Sequence, residues 1–224
     1  MIPFRNLGEV KTPDGSRLIL HEHDGEFFLK LNGRQLMSSG ATTSELMLAE
    51  KACKYLSERA APRVLIGGLG LGFSLKRTLE MMGKGGVVHV AELLPEVVQW
   101  NRELLGPKHA GWVNDPRVEV FVADVFAIIK RSRKTPYDAI LLDVDNGPTS
   151  FVQTKNSRLY SRQGLQMIRN ALQPDGRVAF WSAEREPAFV DSLSRAGFLS
   201  EEYPAKAHER AKREAHRIYV GERV

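Results

Sequence analysis

Residues 141–148 read Leu-Leu-Asp-Val-Asp-Asn-Gly-Pro, an apolar run that ends in two carboxylates and an amide. Carboxylates at the mouth of a buried strand are costly unless something pairs with them, so a cation or a proton donor is expected to face Asp143 and Asp145. One chemistry that uses such a group is proton removal from an attacking amine. An alkyl ammonium with a pKa of about 10 is only ~0.1% neutral at pH 7, an offset of roughly 4 kcal/mol, and an acid oriented to the nucleophile in a closed pocket helps to overcome it. Asp143 is the candidate base, and Asp145 a cation-binding or alternative base residue. The competing reading is a loop in which both acids cap turns ahead of Gly147-Pro148.

Other strand ends carry further candidates. "IGGLGLGFSL" places Gly68, Gly70 and Gly72 between a strand-like run and a helix. Missing side chains there permit a tight turn and close backbone approach, and a helix N-terminus offers free N–H donors. No Lys-Ser/Thr follows, which argues against a phosphate-cradling P-loop. "VHVAELLPEVV" puts Glu92 at the next strand tip, positioned to accept hydrogen bonds from two ribose hydroxyls. "VEVFVADVF" puts Asp124 at the third, where it either meets an adenine amino group or caps the next helix. The third position of a nicotinamide-type glycine motif is Phe73, so the set favours an adenosyl sulfonium compound over a dinucleotide.

These residues need a frame that brings strand ends together. Strand-like runs at Val64–Ile66, Val87–Ala91, Val118–Val122, Ala139–Leu142 and Arg177–Trp181 alternate with helix-like stretches at Ser74–Met82, Pro95–Leu105, Val125–Arg131, Gln163–Ala171 and Pro187–Ala196. Five such steps predict an α/β fold: a doubly wound, mostly parallel, Rossmann-like sheet with ligands beyond the strands' carboxyl ends. "GFLSEEYPA" and "HRIYVGERV" follow without an intervening helix and are expected to pair antiparallel at the sheet's end. The first forty residues differ. Leu18–His21 and Glu26–Leu31 flank Asp24-Gly25, a hairpin signal, and Asn32-Gly33 is a second tight turn. The division expected is an N-terminal antiparallel β-hairpin extension over 1–40 and the α/β domain over 41–224, with a helix opening near Thr42–Ser44.

Composition narrows the class. The 224 residues are 42% hydrophobic and 26% charged, with a formal charge of +5. No apolar run approaches the roughly 18–20 residues of a membrane span. The opening "MIPFRNLGEV" lacks the basic-then-apolar pattern of a secretory leader, so a cytoplasmic location is expected. The single cysteine, Cys53, allows no internal disulfide and reads as helix packing. No Cys/His cluster has zinc spacing, so no metal is expected. Basic residues gather between Lys206 and Arg217, but Glu209 and Glu214 interrupt them; this reads as a solvated loop rather than a nucleic-acid site.

The segments "NGRQLMSSGATTSELMLA", "GGLGLG", "AELLPEVV", "ADVF", "YDAILLDVDNGP" and "LYSRQGLQMIRNALQPDGRVAFW" together resemble the spermidine synthase-like aminopropyltransferases, a branch of the class I S-adenosylmethionine-dependent methyltransferase fold. The resemblance runs from about Leu18 to Phe198. It implies a donor, decarboxylated S-adenosylmethionine or S-adenosylmethionine itself, held by Gln35, Gly68, Gly70, Gly72, Glu92 and Asp124. It implies an amine acceptor near Glu45, Asn146 and Tyr160, and a homodimer supported by the N-terminal hairpin. Three departures stand out: Gly70 replaces a loop aspartate that holds the donor's amine, Asn146 replaces the second aspartate of an Asp-x-x-Asp pair, and Thr43-Ser44 replaces a Tyr-His pair. The expected activity is aminopropyl transfer to an amine. The alternatives are methyl transfer to a small molecule and a non-catalytic binding protein on the same fold.

Overall fold

The computed structural model describes residues 3–144 and 157–224. The N-terminal unit is a four-stranded antiparallel meander, β1 (Arg5–Lys11), β2 (Arg17–His23), β3 (Glu26–Leu31) and β4 (Arg34–Ser38), paired in chain order. Asp24-Gly25 and Asn32-Gly33 make its two later turns with positive φ at both central residues (51°, 78°, 48° and 82°), the geometry that matches strand twist in a two-residue hairpin. The hairpin expected from the sequence is therefore the centre of a larger sheet. β1 escaped notice because its residues are mostly exposed and its register shifts between Asn6 and Gly8. Gly8 is where the strand lies against the Trp100 indole, too close for any side chain.

The second sheet contains β5 (Arg63–Gly67), β6 (Val87–Glu92), β7 (Val118–Val122), β8 (Tyr137–Leu142), β9 (Leu172–Ser182), β10 (Phe198–Ala205) and β11 (His216–Arg223). Their order is β10-β11-β9-β8-β5-β6-β7. β5 to β9 run parallel, while β11 lies antiparallel between β9 and β10. The two final strands thus pair as expected, with the last inserted inside its predecessor. The chain reverses its direction of winding at β5, between β6 and β8, and a crevice opens there beyond the strand ends.

The helices are α1 (Thr43–Ala52), α2 (Phe73–Met81), α3 (Pro95–Glu103), α4 (Pro107–Val113), α5 (Val125–Arg131), α6 (Ser157–Tyr160), α7 (Arg162–Asn170) and α8 (Pro187–Arg195). One face of the sheet, through Val64, Ile66, Val90 and Leu141, packs on Leu48 of α1, Leu75 of α2 and Leu20 of the N-terminal sheet. The other, through Leu65, Ile140, Leu142 and Phe180, packs on Ile129, Leu165 and Leu193 of α5, α7 and α8. Cover on both faces is why the parallel strands read as unbroken apolar runs rather than alternating ones. No helix among the described residues is long and apolar enough to cross a membrane.

Candidate active site

A cleft opens at the β5 switch point, with acids on one side and an apolar wall on the other. The ends of β6, β7 and β8 contribute Glu92, Asp124 and Asp143; the glycine turn contributes Gly68 and Gly70; the N-terminal sheet covers them with Leu18, Leu29, Leu31, Leu36 and Met37. That cover was not expected from the sequence. Its signal was the alternation in β2 and β3, which sends one set of leucines inward.

The glycine turn is held from three directions. The Leu69 N–H donates to Glu92 Oε2 at 2.8 Å, Asn101 Nδ2 donates to the Gly70 carbonyl at 2.9 Å, and the His109 Nδ1–H donates to the Leu71 carbonyl at 3.0 Å. Burial lowers the pKa of His109, so the ring stays neutral among Phe27, Phe73 and Trp112. Gly68 has φ of 87° and lies against the backbone carbonyl of Asp143, leaving no room for a Cβ. At Gly70 a Cβ would stand 2.5 Å from Met37 Sδ, so the thioether fills the space a side chain at 70 would take. Gly72 caps the N-terminus of α2. Backbone left bare in this way can approach a ligand closely. Asn101 and His109 were missed in the sequence because α4 was not recognised and Asn101 lies in the middle of an amphipathic helix.

Glu92 is buried, and its Oε1 accepts the Leu94 N–H at 2.9 Å. Burial raises its pKa, and the N–H groups of Leu94, Leu69, Leu93 and Gly70 oppose the rise. Each carboxylate oxygen has a second lone pair, so Glu92 can fasten the turn and still accept from a ligand. Asp124 takes both roles open to it in the sequence: it lines the cleft and caps α5, with Oδ1 accepting the Phe126 N–H at 2.8 Å. Its Oδ2 accepts from Arg158 Nη2.

Asp143 is different. Its backbone N–H extends the β5–β8 ladder to the Gly67 carbonyl at 3.0 Å, yet its carboxylate has no hydrogen-bond or ion-pair partner among the described residues. Burial and the charge of Glu45 push the group up to about 8. Glu45 is itself buried in the first turn of α1, with burial raising its pKa against a 2.6 Å hydrogen bond from the Ser44 hydroxyl. Ser44 therefore serves its neighbour rather than capping the helix, and Thr42 makes no side-chain cap either. The buried Glu45 and the half-buried Asp143, both with the charged form disfavoured and with no cation beside them among the described residues, can take a proton or receive a positively charged group.

The remaining candidates lie elsewhere. Gln35 is exposed on β4, whereas its neighbours Leu36 and Met37 line the cleft. Tyr160 packs on Phe180 and Phe189 on the opposite face of the sheet. Asp145 and Asn146 lie outside the described residues. Cys53 is fully buried in the core. Among the described residues no group of three His, Cys, Asp or Glu is placed to hold a metal.

A family model described as a spermine/spermidine synthase domain matches residues 56–188. The polyamine aminopropyltransferase of a Synechococcus species is 35% identical over 137 residues, covering 59% of this chain and 41% of that protein. Polyamine aminopropyltransferase 1 of Streptomyces coelicolor is 29% identical over 150 residues, covering 62% of this chain and 27% of that one. The matches thus span between about a quarter and two fifths of these relatives' length. Among solved structures, spermidine synthase from Thermotoga maritima superposes with a TM-score of 0.73 at 19% identity, over 98% of this chain and 73% of that one. Human methyltransferase-like protein 13 in complex with SAH superposes with a TM-score of 0.59 at 19% identity, over 80% and 79%. The two together place the chain in the methyltransferase-like fold.

Proposed function

Because this chain belongs to the spermine/spermidine synthase family, we propose that it transfers an aminopropyl group from decarboxylated S-adenosylmethionine to an amine acceptor, with Asp143 as the base. The geometry that supports the reading is the Asp143 carboxyl at the end of β8, which has no hydrogen-bond or ion-pair partner among the described residues and feels the charge of Glu45. In this reading the nucleoside occupies the cleft between the glycine turn and the apolar wall. Glu92 accepts from the ribose and Asp124 from the base. Displacement at a carbon attached to sulfonium asks little help for the leaving group, so the protein's task is alignment and deprotonation. The acceptor ammonium enters between Asp143 and Glu45 and loses a proton to Asp143; its nitrogen then attacks the donor's carbon next to sulfur, the C–N bond forming as the C–S bond breaks and the electron pair leaving on a neutral thioether. Asp145 and Asn146 are proposed to complete the acceptor site. The protein is further proposed to act as a cytoplasmic dimer associated through the N-terminal sheet.

The test is calorimetric titration with S-adenosylmethionine and its decarboxylated form in parallel, on wild type and on Asp143→Asn. Preference for the decarboxylated donor, with turnover of a diamine strongly reduced in Asp143→Asn, is expected. Preference for the carboxylated donor would make methyl transfer the activity. Binding of neither would remove the donor assignment.

A further inference from the structure

Arg158 joins α6 to the base side of the cleft by a closed set of contacts. Its Nη2 donates to Asp124 Oδ2, while the Asp124 Oδ1 accepts the Phe126 N–H at 2.8 Å. The guanidinium carbon stands 4.1 Å from the centre of the Phe126 ring. Arg158 does not itself line the cleft, but Asp124 does. The carboxylate is thereby fixed at both oxygens, one by the helix it caps and the other by a cation that the helix's own aromatic supports. The planar guanidinium suits this arrangement, since it can pair at its edge and stack by its face together.

From this geometry we infer that Arg158 is a positioning residue for base recognition: it locks the Asp124 carboxylate so that its remaining lone pairs select a purine bearing a 6-amino group over one bearing a 6-oxo group. This rests on the adenosyl reading given above. A free carboxylate turns about its bond to Cβ and can swing from an acceptor it repels. A locked carboxylate cannot, so a base that offers oxygen where a donor is needed leaves two acceptors facing each other, and discrimination of this kind is strong where the site is built for a donor. Arg158 also supplies the reason Asp124 stays beside α5 when no ligand is bound: its cap and its ion pair hold the same side chain.

The experiment measures affinity for 5′-methylthioadenosine and 5′-methylthioinosine in wild type, Arg158→Ala and Arg158→Lys, with a melting curve for each variant. Wild type is expected to favour the 6-amino nucleoside by about tenfold or more. Arg158→Ala should keep its melting transition and lose most of that preference, chiefly by weaker binding of the 6-amino form. Arg158→Lys should recover part of it, because an ammonium can pair with Oδ2 but cannot lie flat on Phe126. An Arg158→Ala protein that retains the wild-type preference, or that loses affinity equally for both nucleosides, overturns the inference and leaves the adenosyl reading standing. So does a wild type that binds both alike. A wild type that binds neither overturns the adenosyl reading itself.

Discussion

The two halves of the cleft treat carboxylates in opposite ways. At the ends of β6 and β7, Glu92 accepts two backbone N–H groups and Asp124 accepts one, plus a guanidinium. At the end of β8 and the start of α1, Asp143 meets no donor among the described residues and Glu45 meets the neighbouring Ser44 hydroxyl and its own backbone N–H, and each has its pKa raised by burial. The first arrangement is complete without a ligand and holds its shape. The second is unfinished, and its free energy improves when a proton or a cation arrives. A two-substrate transferase needs that division: a rigid seat for the donor, and an acceptor site that both attracts an ammonium and can take a proton from it.

Removing the unfinished acid gives the largest test of the division. Asp143→Asn should lower kcat by about 10²–10⁴, the range for loss of a general base, while leaving donor affinity within a fewfold of wild type. Single-turnover kinetics alongside donor titration separate the two quantities. A matching collapse of donor binding would mean that Asp143 belongs to the donor side, and the comparison would break.

Glu92→Gln tests the finished side. A glutamine has one carbonyl oxygen where the carboxylate has two, so its amide would face either the Leu69 or the Leu94 N–H. An unpaired buried donor costs about 1–3 kcal/mol. The expected outcome is a lower midpoint in chemical denaturation together with weaker donor binding, since the same side chain holds the glycine turn. Asn101→Ala should have a smaller effect of the same kind, about 1 kcal/mol, because the Gly70 carbonyl it releases can turn towards solvent in the cleft. Unchanged stability and unchanged donor affinity in Asn101→Ala would mean that the turn is held by Glu92 and His109 alone.

The division was half legible in the sequence. The parallel strands could be read because burial on both faces leaves continuous apolar runs, and each strand end then drew notice to Glu92, Asp124 and Asp143 in turn. Glycines at 68, 70 and 72 marked the switch point for the same reason. What fastens the turn was hidden. Asn101 pins Gly70 from a helix whose hydrophobic pattern accounted for every neighbour, and His109 pins Leu71 from a seven-residue helix, Pro107–Val113, containing a glycine. Pro107 at its first position was the available signal. The apolar wall was hidden too, because the strands that build it, β2 to β4, are distant in sequence from the acids they face. On the unfinished side, Glu45 came forward only through family resemblance; nothing in its local pattern distinguishes an acid buried beside Asp143 from one that decorates a helix N-terminus.

The smallest predicted effect bears most directly on whether Asp143 and Glu45 act as a pair. Burial is the main cause that raises Asp143, and the charge of Glu45 is the second. Glu45→Gln should therefore move the acid limb of the pH–rate profile, which lies near pH 8 if Asp143 must be ionised to act, downward by less than about one pH unit. Stability should follow with a definite sign. A carboxyl whose folded pKa is raised from 3.8 to about 8 favours the folded state in its neutral form; its contribution is full below about pH 4 and is lost as pH rises through 8. Glu45, also raised by burial, acts in the same direction. Wild type should thus lose stability between pH 5 and 8 from this pair, against the usual behaviour of carboxylates held by cations, and Glu45→Gln should flatten that decline in melts taken across the range. An amine acceptor at saturating concentration should flatten it as well, by placing a positive charge where the two acids meet. If Glu45→Gln leaves both the rate limb and the stability slope unmoved, the acids do not sense each other, and the acceptor side reduces to Asp143 alone.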